Sequence, residues 1–229
     1  IIDANTICGF WARRQTDISP DTLARLMQQA GVARYLTVST TAIFYDFRAG
    51  NDETLALGQK HPGLVPVATV DPRQYIDCLA EVEKRAQQGF LLFRLFPELQ
   101  GYPLNFAPLQ DILAKLNELN RPVMIATAKI GDATQLADMI ALHQTPVIMT
   151  DVNYSNLGEA ICVMKAHTHL YLETHLLNSP DAIEVLTSEV GADRLIFGSY
   201  SPLRYFSSSY LSVSAATITE EQKTQVLGG

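Results

Sequence analysis

Eight short apolar runs, each followed by a segment of helical period, constrain this chain more than any other feature. The runs predict strands over 1–5, 33–39, 64–70, 90–96, 122–127, 146–151, 170–174 and 194–199. Helices are predicted near 20–30, 52–60, 74–88, 105–119, 132–142, 155–166 and 180–189. Strands that are apolar throughout and separated by helices form a parallel sheet covered on both faces. Eight such units favour closure into a (β/α)8 barrel. The rival is an open doubly wound sheet, whose usual Gly-x-Gly-x-x-Gly turn after the first strand is absent.

Local signals refine this outline. Ser19-Pro20-Asp21 supplies a cap with proline at the first helical position. Asn51 is expected to cap the second helix, and Leu104-Asn105 marks another helix entry. The eighth helix is the least defined: Ser207 to Ala216 is Ser-rich and reads as helix or loop, and 219–227 reads as a last helix cut short at Gly228-Gly229. The 229 residues fit one barrel domain over 1–229. With 47% hydrophobic and 18% charged residues, the chain can bury a full core.

A net charge of −7 without a long basic run argues against a nucleic-acid groove or a polybasic membrane patch. No apolar run of membrane-spanning length occurs. The three cysteines Cys8, Cys78 and Cys162 are scattered and odd in number, which suits free thiols in the cytoplasm. Nothing in this composition opposes a homodimer.

Several segments, in order, resemble the amidohydrolase-related barrels of the aminocarboxymuconate-semialdehyde-decarboxylase type. They are Asp3-Ala4-Asn5-Thr6-Ile7 (first strand), Phe93-Arg94-Leu95-Phe96-Pro97 (fourth), Arg121-Pro122-Val123-Met124-Ile125 (fifth), Leu170-Tyr171-Leu172-Glu173-Thr174 (seventh) and Asp193-Arg194-Leu195-Ile196-Phe197-Gly198-Ser199-Tyr200-Ser201-Pro202 (eighth). The tail from Thr219 to Gly229 resembles the family's closing helix. The resemblance implies a TIM barrel with hydrolase or decarboxylase chemistry and a divalent metal such as zinc. It places the first-strand ligands at Asn5 and Ile7, the fifth at Ala126, the sixth near Thr150 or Asp151, and the eighth at Tyr200. Ala and Ile offer no donor, and Asn and neutral Tyr are poor ones. The expectation is therefore a branch without the His-x-His motif, without a family-type metal and with no cofactor.

In such barrels function sits at the C-terminal strand ends, and alternation along each strand sorts lumen from outer face. This puts Asp3 and Asn5 on one face, Leu92, Arg94 and Phe96 on another, and then Tyr171, Glu173 and His175, and Ile196, Gly198 and Tyr200. Arg94, balanced by Asp3 and Glu173, is expected to replace the metal's positive charge. Arg94, Asp3, Asn5 and Asp151 become candidate substrate-binding residues, and His175, Glu173 and Tyr200 candidate catalytic ones. The equally open alternative is an inert buried ion network.

Three functional readings follow. One is a hydrolase or decarboxylase for a small anionic metabolite. Another is a non-catalytic ligand-binding or interaction barrel. The third is a metal enzyme using new ligands such as Asp3, Glu173 and His175. The loop from Thr40 to Asn51 is expected to be a lid, a subunit contact or packing over the barrel mouth. His167-Thr168-His169 has metal-ligand spacing but precedes the seventh strand. It belongs to the opposite end of the barrel, as do His143 and His61. Cys8 has no evident partner base and is not expected to be a nucleophile.

Overall fold

The computed structural model describes residues 1–11 and 15–229. Its strands are β1 (Ile2–Cys8), β2 (Arg34–Ser39), β3 (Leu64–Pro66), β4 (Phe93–Leu95), β5 (Val123–Ala126), β6 (Val147–Thr150), β7 (Leu170–Glu173) and β8 (Leu195–Ile196), matching all eight expected runs. They run parallel in chain order, with regular ladders from β1 to β3 and from β4 to β8. Backbone hydrogen bonds join the two seams. Across one, Ala68 N donates to Leu92 O at 3.2 Å and Arg94 N to Ala68 O at 2.9 Å. At the other, Ala4 N donates to Phe197 O at 2.9 Å and Tyr200 N to Asn5 O at 2.7 Å. The fold is a (β/α)8 TIM barrel.

Side chains from alternate strand positions divide into two apolar layers. Phe93, Leu95, Val123, Ile125, Leu170 and Leu172 join the large cluster beneath the helices. Leu92, Phe96, Met124, Ile148, Tyr171 and Ile196 belong to a second, smaller cluster. This is the division that alternation on β4, β7 and β8 leads one to expect. Each fully buried side chain of this size contributes roughly 1.5–3 kcal/mol.

The first strand departs from simple alternation. Asp3 pairs with Tyr35 but Thr6 with Thr37, so β1 carries one extra residue between these pairs. Such a bulge changes the face on which the following side chains emerge. Ala4 and Ile7 both reach the inner apolar cluster, although three positions separate them. Asp3 and Asn5 therefore do not share a face, contrary to expectation.

Helix boundaries follow local hydrogen bonding. Ser19 caps the helix Pro20–Gln29 as expected, accepting from Thr22 N at 3.3 Å. The connection after β2 is not a simple loop. It holds the helix Thr40–Phe44, capped by Ser39, and the start of the helix Phe47–Lys60, capped by Asp46. Gly50 allows the two to touch, since a Cβ there would lie 2.1 Å from Ala42 N. Asn51 is thus no cap but lies inside a helix. The Ser-rich stretch forms the helix Phe206–Ser214, with Phe206, Tyr210 and Val213 packed against the outer core at helical spacing. Thr219 and Gln222 form a reciprocal capping box for the helix Glu220–Val226. No helix among the described residues is long and apolar enough to cross a membrane.

Asn51 joins a buried polar network beneath the barrel's flank. Its Nδ2 donates to Thr69 O at 2.9 Å and to Glu81 Oε1 at 3.0 Å, while its Oδ1 accepts from Thr69 N at 3.0 Å. Arg85, fully buried, donates from Nε to Glu81 Oε1 at 2.5 Å and also binds Asp52. Replacing Glu81 with Ala leaves two buried donors without their acceptor. The expected loss of stability is about 3 kcal/mol, read from the urea unfolding midpoint at unchanged slope. A loss below about 1 kcal/mol would show that this network is solvated or dispensable.

Candidate active site

The buried amide of Asn5 organises the mouth of the barrel. Its oxygen accepts from Arg94 Nη1 at 2.5 Å, and its nitrogen donates to Glu173 Oε2 at 2.8 Å. A guanidinium can only donate and an ionised carboxylate can only accept, so the amide orientation is fixed. Glu173 turns back on the chain beyond it. Its Oε1 accepts from His175 N at 2.7 Å, and its Oε2 lies 2.5 Å from His175 Nδ1. Asn5 Nδ2 is 3.3 Å from the same Nδ1, but both are donors when the ring is protonated, so the ring proton belongs to Glu173. Gly198 permits this packing, because a Cβ there would lie 2.1 Å from Glu173 Oε1 and 2.7 Å from Asn5 Cβ.

His175 has a carboxylate near each ring nitrogen, with Asp151 Oδ1 3.4 Å from Nε2. Burial alone would lower its pKa, but the charge of Glu173 and the bonds to Asp151 and Glu173 outweigh it and raise the value to about 9. Asp151 is the reverse case: burial opposes ionisation, yet His175 and Arg94 hold its pKa at about 2. At neutral pH the site therefore contains an imidazolium, an ionised Asp151 and the Arg94 guanidinium. His175 Nε2 is buried, and Asp151 at 3.4 Å is the acidic group beside it.

Aromatic rings shape the surroundings. The Arg94 guanidinium lies over Phe96 at 4.6 Å and over Tyr200 at 5.2 Å. The Tyr200 ring is 5.3 Å from that of His175. Asp151 and Tyr200 adopt left-handed backbone with φ of 62° and 56°, which is costly for residues bearing a Cβ and concentrates at functional sites. Two cavities border Tyr200. The inner one, of about 90 Å³, is lined by Arg94, Phe96, Glu98, Ala126 and Asp151 among others. The outer one, of about 490 Å³, is lined by Trp11, His175, Asn178, Arg204 and Tyr205 among others.

Asn5, Arg94, Asp151, Glu173, His175 and Tyr200 are thus brought together, and Asp3 is not. Asp3 accepts from Asn5 N at 3.0 Å and Ser199 N at 3.1 Å, and also binds Ser199 Oγ. Its role is to fasten β1 to the segment after β8, not to balance Arg94. Burial, with a smaller contribution from the charge of Glu173, pushes the Asp3 pKa up to about 7 against the Ser199 and Asn5 bonds. Arg94 has no carboxylate ion pair among the described residues either; its side-chain partner there is Asn5, which stands between it and Glu173. Sequence reading places the run from Ser201 to Tyr205, with Arg204, at the rim, but misses Ser199 and Trp11 as site residues. Ser199 lies in the Gly-Ser-Tyr-Ser-Pro run after β8, but nothing local marks it as a clasp for Asp3. His143, His167 and His169 line a separate cavity with Pro146, before β6 and β7. Cys8 is buried and its pKa is pushed up to about 12, which leaves it a poor nucleophile.

Solved structures share this architecture. The 5-carboxyvanillate decarboxylase of Sphingomonas paucimobilis superposes with a TM-score of 0.78 at 12% identity, over 100% of this chain and 96% of that one. A dihydroxybenzoic acid decarboxylase of Polaromonas, with bound manganese and the inhibitor 2-nitroresorcinol, gives 0.74 at 13% identity, over 98% and 93%. The 5-carboxyvanillate decarboxylase of Novosphingobium aromaticivorans, with manganese and 4-hydroxy-3-methoxy-5-nitrobenzoic acid, gives 0.71 at 13%, over 90% and 76%. No curated protein matches the chain in sequence.

Manganese bound in two of these neighbours overturns the expectation that no cofactor belongs to barrels like this one. The residues at the mouth nevertheless do not fit such a centre as they stand. Among the described residues no group of three or more His, Cys, Asp and Glu side chains is placed to hold an ion. Arg94 occupies Asn5 Oδ1, and the carboxyl of Asp3 is taken up by Asn5 N and Ser199, so the alternative set of Asp3, Glu173 and His175 does not form among the described residues. The amidohydrolase family model matches residues 11–229, and the chain belongs to that amidohydrolase family.

Proposed function

We propose that the chain is an enzyme that binds a small organic anion at Arg94 and delivers a proton to it from His175, in decarboxylation. The observation that carries this reading is the His175 ring, held between Glu173 and Asp151 in a residue that lines a cavity. The neighbours' own names, decarboxylases of hydroxylated benzoates, support the same chemistry. Their bound aromatic acids support an anionic ligand.

The division of labour follows from the geometry. Arg94 uses one nitrogen on Asn5, and its planar fork carries further N–H groups suited to a carboxylate or phenolate oxygen. His175 protonates the carbon that bears the carboxylate. The carbon–carbon bond then breaks, its electron pair returns to the substrate, and carbon dioxide leaves. His175 recovers its proton from solvent. Glu173 fixes the ring and stabilises its charge through Nδ1, as a buried carboxylate does for a catalytic imidazole. Asn5 holds Glu173 and Arg94 in register, and Asp151 keeps the imidazolium charged. Tyr200 forms the wall against which both cations lie. Hydrolysis remains the rival chemistry, and a barrel that binds without turnover is the alternative function.

Two experiments test this. Arg94→Gln keeps a polar side chain but shortens it and removes the charge, and is expected to weaken binding of a hydroxybenzoate by roughly 10–100-fold, measured by calorimetry. Binding unchanged within threefold would remove Arg94 from the site. For His175, the acid form is the active one, and its pKa is raised above the ordinary histidine value. Activity is therefore expected to be full at neutral pH and to fall as pH rises through about 9. His175→Gln should lower kcat for carbon dioxide release by roughly 10²–10⁴-fold and abolish that alkaline limb. Unchanged turnover would discard the role of His175, while tight binding without turnover in the unaltered protein would favour the non-catalytic barrel.

A further inference from the structure

We infer that the site takes a two-ended ligand carrying a second negative group, and that Arg204, at the outer cavity, recognises this distal end. The inference rests on the anion-binding role given to Arg94 above and extends it. Size is the first argument. The inner cavity at Arg94 and Asp151 is about 90 Å³, room for roughly three water molecules at their liquid volume. That space accepts one carboxylate-sized group and little of the body attached to it. The outer cavity, about 490 Å³, is within the range of small-molecule pockets.

Position is the second argument. Tyr200 lines both cavities, and His175 lines the outer one. The strained backbone of Tyr200 and its ring contacts with Arg94 and His175 hold this partition in place. A ligand whose head sits at Arg94 must pass Tyr200, and so presents its middle to His175. Its far end then lies among Trp11, Tyr205, Asn178 and Arg204.

Chemistry is the third argument. The rings of Trp11 and Tyr205 offer apolar surface to a planar or aliphatic body, and Asn178 and Ser208 offer exchangeable hydrogen bonds. Arg204 is exposed and makes no ion pair with a carboxylate among the described residues, in a chain whose net charge is −7. A guanidinium without a protein carboxylate at the rim of a pocket is suited to a ligand carboxylate or phosphate.

The test compares monocarboxylates (benzoate, hexanoate) with two-ended counterparts (terephthalate and the dicarboxylates from adipate to azelate) by calorimetry, in unaltered protein, Arg204→Gln and Arg94→Gln. At least one dicarboxylate is expected to bind about fivefold more tightly than its monocarboxylate at low salt. Arg204→Gln should erase that gain and leave monocarboxylate binding within twofold. If no dicarboxylate gains, or if the gain survives in Arg204→Gln, while Arg94→Gln still weakens both classes, the distal site is wrong and the anion site at Arg94 stands. If neither class binds, or Arg94→Gln weakens neither, the reading of Arg94 fails and the distal site fails with it.

Discussion

Between Asp3 and Thr6 the first strand carries one residue more than its neighbour, and that surplus separates two tasks that strict alternation would have merged. Asp3 turns to the seam, where it ties β1 to Ser199 beyond β8. Asn5 turns to the mouth, where it links Arg94 to Glu173. A closed barrel has no free edge, so the first strand must bond to the last, and short β8 offers few regular ladder positions. The carboxyl of Asp3 supplies acceptors where the ladder has run out. The same bulge thus completes the barrel and builds the site.

Arg94 and His175 are both cationic, and their closeness needs explanation. Three acceptors answer it: Glu173, Asp151 and the amide oxygen of Asn5. Removing two charges from water costs several kcal/mol each unless partners replace the solvent. The partners here are shared rather than paired one to one. Glu173 touches both Asn5 and His175, and Asp151 is held ionised by both His175 and Arg94. Such coupling makes the protonation of each group depend on the others, which keeps an imidazolium charged at a depth where burial alone would discharge it.

Most of the fold was legible in the sequence because its signal is local and repeated. Eight apolar runs gave eight strands, and alternation on β4, β7 and β8 sorted Arg94, Glu173 and Tyr200 from their apolar neighbours. His175 was legible for the same reason, two positions after Glu173 on a strand end. The misreadings are equally specific. Asn51 looked like a cap because the stronger cap at Asp46 lay inside an apparent loop. Ser207 to Ala216 reads as either helix or loop because serine is a weak helix former, and packing of Phe206 and Val213 decides for helix. Asp3 looked like a counter-charge because a bulge leaves no mark in composition or period.

By itself, the sequence determined the number and order of strands, the helices between them and the residue types available at the mouth. These depend on periodicity and turn chemistry, which act over a few neighbours. Only the tertiary structure decided which of those residues meet. Asn5 and Glu173 are 168 positions apart and Asp3 and Ser199 are 196, so their contacts arise only when the barrel closes. The charge states of Asp3, Asp151 and His175 were decided there too, because a pKa is set by burial and by the charges that folding brings within a few ångströms.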